Sequence, residues 1–301
     1  MKKTILILVT TFIILGCKNE KQSNGKLNIV TTTSMITDLV KNIGGEHINL
    51  QGLMGSGVDP HLYKASEGDV TKLASADIIF YNGLHLEGKL VEVFEKMKSK
   101  KTIALGDNLD KSTLIGSDYF ASNYDPHIWF NVDYWIESTQ YVAKILSEAI
   151  PDKKPIFTTN SEVYIKKLKN LKTKLSSTIE TLPKEARILV TAHDAFNYFG
   201  KAFNFEVVGL QGISTATEAG VQDVQKLSAF IIENNVKAIF IESSVPKRTI
   251  EALQAAVNSK GHHVIIGGSL YSDALGNSGT AEGTYIGMFE YNVNTIVNAL
   301  K

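Results

Sequence analysis

Apolar residues along the chain fall into two alternating kinds of block. Leu27–Val30, Asp77–Tyr81, Arg187–Thr191 and Ala238–Glu242 are short runs rich in branched or aromatic side chains and read as buried strands. Ile48–Met54, Thr102–Leu105, Phe205–Leu210 and His263–Ile266 complete the set of expected strands. Between them lie stretches whose apolar residues recur every three or four positions, the signature of a helix with one buried face. These expected helices are Met35–Ile43, Glu67–Ser75, Leu86–Lys98, Tyr134–Ala149, Ala195–Phe203, Val221–Asn234, Lys247–Ser259 and Thr284–Leu300. Gly44-Gly45 and Gly261 are helix stops, and Asn82-Gly83 is a turn signal. Gly106–Tyr124 carries neither period and reads as irregular. Strands alternating with helices predict parallel sheets flanked by helices, an α/β fold.

One segment breaks the rhythm. After Pro155 neither Gly nor Pro occurs until past Leu182, and Tyr164, Leu168, Leu171, Leu175, Ile179 and Leu182 share one helical face. At about 1.5 Å per residue this helix would run on the order of 40 Å. It separates two runs of strand–helix alternation, so it reads as a stiff spine joining two lobes. The expected organisation is an N-terminal α/β lobe over residues 26–154, a linking helix over 155–182 and a C-terminal α/β lobe over 183–301. Ligands of open α/β sheets sit beyond the carboxyl ends of the strands, so loops that follow strands are where a site is expected.

Composition adds little for the body of the chain and much for its start. With 44% hydrophobic and 21% charged residues and a formal charge of zero, the 301 residues describe an ordinary globular protein. That balance offers no electrostatic case for nucleic acid. At the N-terminus, Lys2 and Lys3 precede a short apolar run, Thr4–Leu15, too short to span a bilayer. The run ends in Leu15-Gly16-Cys17, which reads as a lipoprotein signal over residues 1–16 with cleavage before an acylated Cys17. Cys17 is the single cysteine, so no disulfide forms within the chain. Residues 17–25 are polar and serve as a flexible tether, so a lipid anchor and not a membrane-spanning helix would hold the protein to its membrane.

The candidate chemistry is metal binding. Asp59-Pro60-His61, within the stretch Gly57–Ser66, recurs as Asp125-Pro126-His127, and His193 follows an apolar strand. Asp273 lies in a glycine-rich loop near the end of the chain. A lone histidine is more often a surface or hydrogen-bonded residue than a ligand, and no spacing here resembles a zinc finger. Position argues otherwise, because all four residues sit in loops that follow strands, and two share one tripeptide. Three imidazoles and a carboxylate suit zinc, and manganese accepts the same donors. Asp59, Asp125 and Asp194 lie within two residues of a ligand and could steady the imidazoles by accepting the other ring N–H. The Asp-Pro pairs also fit plain turn starts. His85 is the best rival ligand; His47, His262 and His263 read as solvated or structural, and Trp129 and Trp135 as packing. Glu242, at a strand end, could line the cleft, but four donors are complete without it. Binding in competition with protons on imidazoles of ordinary pKa about 6.5 should weaken on acidification.

Longer stretches carry a resemblance. Thr191–Phe196 (TAHDAF), Val208–Thr215 (VGLQGIST), Ile239–Ser244 (IFIESS), Gly268–Leu275 (GSLYSDAL) and Gly283–Tyr285 (GTY) are similar to the substrate-binding lipoproteins of zinc and manganese ABC importers, solute-binding protein family 9, and most to their TroA-like branch. The resemblance covers nearly the whole mature chain. It implies two α/β lobes joined by one helix, metal held in the cleft by His61, His127, His193 and Asp273, and delivery to a membrane permease driven by a separate ATPase. It implies an extracytoplasmic, lipid-anchored or periplasm-facing protein, acting as a monomer and not as an enzyme. Many zinc-dedicated members have a histidine-rich loop before the second ligand, whereas Gly106–Tyr124 contains no histidine. Zinc and manganese therefore both stay open, with iron a further possibility. A zinc hydrolase is the alternative of a different class, with Glu67 or Asp125 as its base, and a surface adhesin is a third.

Overall fold

The computed structural model describes residues 25–97, 101–117 and 122–301. The signal segment and Cys17 lie outside the described residues, as do positions 98–100 and 118–121. The N-terminal lobe is built on a parallel sheet of order β2-β1-β3-β4, with β1 Leu27–Thr31, β2 Ile48–Gly52, β3 Ile78–Tyr81 and β4 Lys101–Ala104. Helices α1 (Ser34–Gly44), α2 (Glu67–Ser75) and α3 (Gly88–Lys96) cross between its strands, followed by α4 (Val132–Ala149). Thr33 caps α1 by accepting from the Ile36 amide. Ser66 and Asp69 form a reciprocal capping box at α2. These caps fix where the chain leaves the strand ends.

The C-terminal lobe has two parallel strand pairs, β5 (Ile188–His193) with β6 (Glu206–Gln211), and β7 (Ala238–Glu242) with β8 (Ile265–Leu270). Strands β5 and β7 run side by side at the centre of the lobe. Helices α6 (Asn197–Phe203), α7 (Val221–Glu233), α8 (Arg248–Asn258) and α9 (Tyr285–Leu300) surround them. Between the lobes runs α5, Lys154–Glu180, 27 residues long, packed on α1, α4 and α9. Its Tyr164, Leu168, Leu171, Leu175 and Ile179 are all buried, in one apolar core shared with both lobes. Among the described residues no helix is long and apolar enough to cross a membrane.

Two strand ends differ from the pattern reading. His193 is the last residue of β5, paired with Gln211, and not a residue beyond the strand. Strand β8 runs on through Gly267 and Gly268 to Leu270, where the glycines suggested a loop. They mark close packing instead: a β-carbon at Gly267 would lie 2.6 Å from the Ala299 methyl, and one at Gly268 2.6 Å from Thr295 Cγ2, both on α9. The stretch expected to be irregular holds two short 3-10 turns, Leu105–Asn108 and Lys111–Thr113.

Candidate metal centre

Loops at the carboxyl ends of the strands bring four side chains together. His61 comes from the loop after β2, His127 from the turn leading into α4, His193 from the end of β5, and Asp273 from the loop after β8. One potential ligand atom from each lies within 4.8 Å of every other. The detailed spacings are tighter. His61 Nε2 is 3.3 Å from His127 Nε2. Asp273 Oδ2 is 3.5 Å from His61 Nε2 and 3.2 Å from His193 Nε2, and Oδ1 is 3.5 Å from His127 Nε2. Donors about 2.0–2.2 Å from a common ion, at the corners of a tetrahedron, stand about 3.3–3.6 Å apart. These four spacings, 3.2–3.5 Å, lie close to that range. His127 and His193 are 0% exposed, Asp273 1% and His61 6%.

Asp273 shows what the cage lacks from protein alone. Neither carboxylate oxygen has a hydrogen-bond partner among the described residues, although both are buried. An ionised carboxylate left so would carry a large desolvation cost. The imidazoles, His193 foremost, outweigh burial and hold it well below the usual carboxylate range. A cation at the shared point would satisfy both oxygens.

Each imidazole is set by a different neighbour. Asp125 Oδ1 accepts from the His127 amide at 2.9 Å and lies 2.7 Å from Nδ1 of the same ring. The carboxylate accepts, so the ring proton sits on Nδ1 and the bare Nε2 faces the cage. Asn82 Nδ2 donates to the Pro126 carbonyl at 2.9 Å, and Asn82 is in turn held by the buried Glu87, which accepts from its amide at 2.8 Å. Burial pushes the Glu87 carboxyl up.

His193 is held by Glu242 from β7. Oε1 accepts from the His193 amide at 2.8 Å, and Oε2 lies 2.6 Å from Nδ1, a short ionic contact not aligned as a hydrogen bond. Burial alone would depress this imidazole, but Glu242 and Asp273 together raise it well above its ordinary value. Asp194, next to His193 in sequence, points elsewhere: its Oδ1 accepts from the Gly209 amide at 2.7 Å. Gly209 is a close approach, since a β-carbon there would lie 2.5 Å from the Asp194 amide nitrogen. Asp59 accepts from the His61 amide at 2.8 Å through Oδ1, and its Oδ2 accepts from Thr215 Oγ1 at 2.6 Å and not from a ring. Burial holds His61 down to about 3.

The other sequence candidates fall away from the cage. His85 is exposed in a left-handed turn, with φ of 64°, and contributes no atom to the cluster. Trp129 and Trp135 are buried core, although Trp129 also donates to the Ser272 carbonyl next to Asp273. Of the two bases weighed for hydrolysis, Glu67 is exposed on α2 and contributes no atom to the cluster, and Asp125 is committed to His127.

Two α/β lobes with a buried three-histidine, one-carboxylate cage at their junction define a metal-binding substrate-binding protein. Residues 29–299 match the family described as ZnuA, the zinc-uptake complex component A, periplasmic, and the chain belongs to that family. The manganese-binding lipoprotein MntA of Bacillus subtilis is 44% identical over 98% of this chain and 97% of its own length. The zinc-binding protein TroA of Treponema pallidum is 48% identical over 92% of this chain and 90% of its own. The solved structure of that periplasmic TroA superposes with a TM-score of 0.89 at 49% identity, covering 92% of this chain and 99% of the other.

Proposed function

We propose that this protein captures a divalent transition metal, zinc or manganese, outside the cytoplasm and hands it to the permease of an ABC importer powered by a separate ATPase. The ion is cargo: His61, His127 and His193 supply Nε2 donors, and Asp273 supplies one or both carboxylate oxygens. The lobes over residues 26–154 and 183–301 form the jaws, with the helix over 155–182 as their spine. Acylation of Cys17 tethers the protein, a monomer, to its membrane, with residues 17–25 as slack.

The observation that carries this reading is Asp273, a buried carboxylate whose two oxygens accept no aligned hydrogen bond among the described residues and face three imidazoles at 3.2–3.5 Å. The related proteins named for metals divide between manganese and zinc, as the donor set itself does. Zinc outcompetes manganese at most nitrogen and oxygen sites, so the ion carried in the cell follows supply as well as affinity.

Protein purified without chelator should contain metal, and stripped protein should bind zinc and manganese at one site per chain in paired titrations. His127→Ala should weaken zinc binding by about a hundredfold or more while the protein still folds. Unchanged titrations in that variant would remove His127 from the cage.

A further inference from the structure

The four ligands are not equally braced. Three belong to a segment of the cleft where the lobes are stitched together by buried and part-buried hydrogen bonds. Tyr198 Oη of the C-terminal lobe donates to the Asp125 carbonyl at 2.9 Å, and Asn197 Nδ2 donates to Asp125 Oδ2 at 3.0 Å. Trp129 Nε1 donates to the Ser272 carbonyl at 3.0 Å, and Tyr285 Oη donates to the Trp129 carbonyl at 2.7 Å. His127 and Asp273 are thus fastened to one another across the cleft, and His193 is fastened to its own lobe by Glu242. None of the three can leave without breaking buried contacts.

The His61 loop, residues 53–66, is different. Its two ends are fixed within its own lobe, by Leu53 and Met54 amides on the Thr31 and Thr32 carbonyls and by Tyr63 on Asp69. Its middle reaches the opposite lobe. Apart from the ligand itself, a hydrogen bond makes this link among the described residues, Thr215 Oγ1 to Asp59 Oδ2, 2.6 Å long and spanning 156 positions of sequence. The same Asp59 carboxylate grips the His61 amide through its other oxygen. Asp59 therefore connects the ligand's backbone to the far wall of the cleft. His61 is also the ligand nearest solvent, and the next residue, Leu62, is 44% exposed. A small cleft lined by Asp59, Leu62, Thr215, Val245 and Pro246 opens beside it.

We propose that the Thr215–Asp59 bond is a latch on the metal site: the ion enters and leaves by outward movement of the His61 loop, and the latch sets the rate of release. Thr215 is a positioning residue that touches no ion. It acts on His61 through Asp59, and its hydroxyl is the part that matters. The inference rests on the four-ligand reading of the site.

The test is the rate at which zinc leaves the loaded protein on mixing with excess chelator. Thr215→Val keeps the shape and removes the donor, and loss of a hydrogen bond to a carboxylate should speed release by about tenfold. Thr215→Ser retains the donor and should match wild type. Lys201→Met removes a different bond between the lobes, from Lys201 Nζ to the Thr113 carbonyl far from the cage, and should also match wild type. Thr215→Ala serves as a second donor-free variant, and melting of each metal-free variant checks that it folds. Release from both donor-free variants at the wild-type rate overturns the latch. Equal acceleration by Lys201→Met also overturns it, because any loosening between lobes would then suffice. Failure of the wild type to hold zinc at all would instead overturn the four-ligand reading.

Discussion

Glu242→Gln is the sharpest test of how the cage is supported. The substitution keeps size and shape in a side chain that is 4% exposed, so packing is preserved and only the proton arrangement changes. Glu242 holds His193 through two contacts, 2.8 Å to its amide and 2.6 Å to Nδ1. Both are donors when Nε2 is bare for the metal, and a carboxylate can face two donors. A carboxamide cannot. With its oxygen on the amide, its NH2 faces Nδ1 and favours the tautomer with the proton on Nε2, the nitrogen 3.2 Å from Asp273. With the amide flipped, NH2 opposes the backbone N–H. Either way binding an ion sets a buried N–H against another donor where a carboxylate oxygen stood, which costs about 1–3 kcal/mol, or about 5- to 150-fold in affinity. The usual loss on changing a residue that orients a metal-bound histidine is about 10- to 100-fold. A zinc titration against a competing chelator at fixed pH reads this directly, with melting of the metal-free protein as the check on folding. A variant that folds normally and binds zinc as tightly as wild type would refute the argument that Glu242 sets the His193 tautomer.

Further expectations follow from the same geometry. Between its two carboxylates, His193 carries a proton at neutral pH in the metal-free protein, whereas His61 is already neutral and gains a proton only near pH 3. Metal must displace the His193 proton, so affinity rises with pH, by about tenfold per unit while that group is the one titrating. Calorimetry in two buffers of different ionisation heat should count about one proton released per ion at pH 7, and no release would contradict the assignment. The raised His193 pKa also stabilises the metal-free fold below the ordinary imidazole value, a contribution lost as pH rises through the raised one; melting of stripped protein across that range reads it. Gly209→Ala forces a methyl to within 2.5 Å of the Asp194 amide. It should lower stability by about 1–3 kcal/mol and weaken zinc binding, because the backbone that must shift carries His193. Denaturant unfolding of the metal-free form measures the first effect.

The lobes and the spine were legible because their elements are long and periodic. Helix α2 matches its expected bounds, Glu67–Ser75, since a capping box and an Ala-Asp break frame it. The ends of β5 and β8 were not legible, because a strand that contributes ligands or packs under a helix carries polar or glycine residues where an apolar run was expected. The gathering of His61, His127, His193 and Asp273 could be guessed from strand-end position and the repeated tripeptide. Their supports could not. Both Asp-Pro-His segments fold alike, with the aspartate accepting from the histidine amide two residues on. Yet Asp125 also reaches its ring, while Asp59 turns its second oxygen to Thr215. Nearness in sequence misled at Asp194, because successive residues at a strand end project to opposite sides. Glu242 is 49 residues from His193 and shares only the adjacent strand end; the hint was an acidic residue closing an otherwise apolar strand, Ala238–Glu242.

The 27-residue α5 has a consequence for whatever receives the cargo. A rod clamped along one apolar edge to helices of both halves makes a poor pivot, so the outline of the molecule is expected to change little with occupancy. Small-angle scattering of the full and empty forms should give nearly superimposable curves, and a receiver at the membrane would then read occupancy from local contour, such as that around the exposed Leu62.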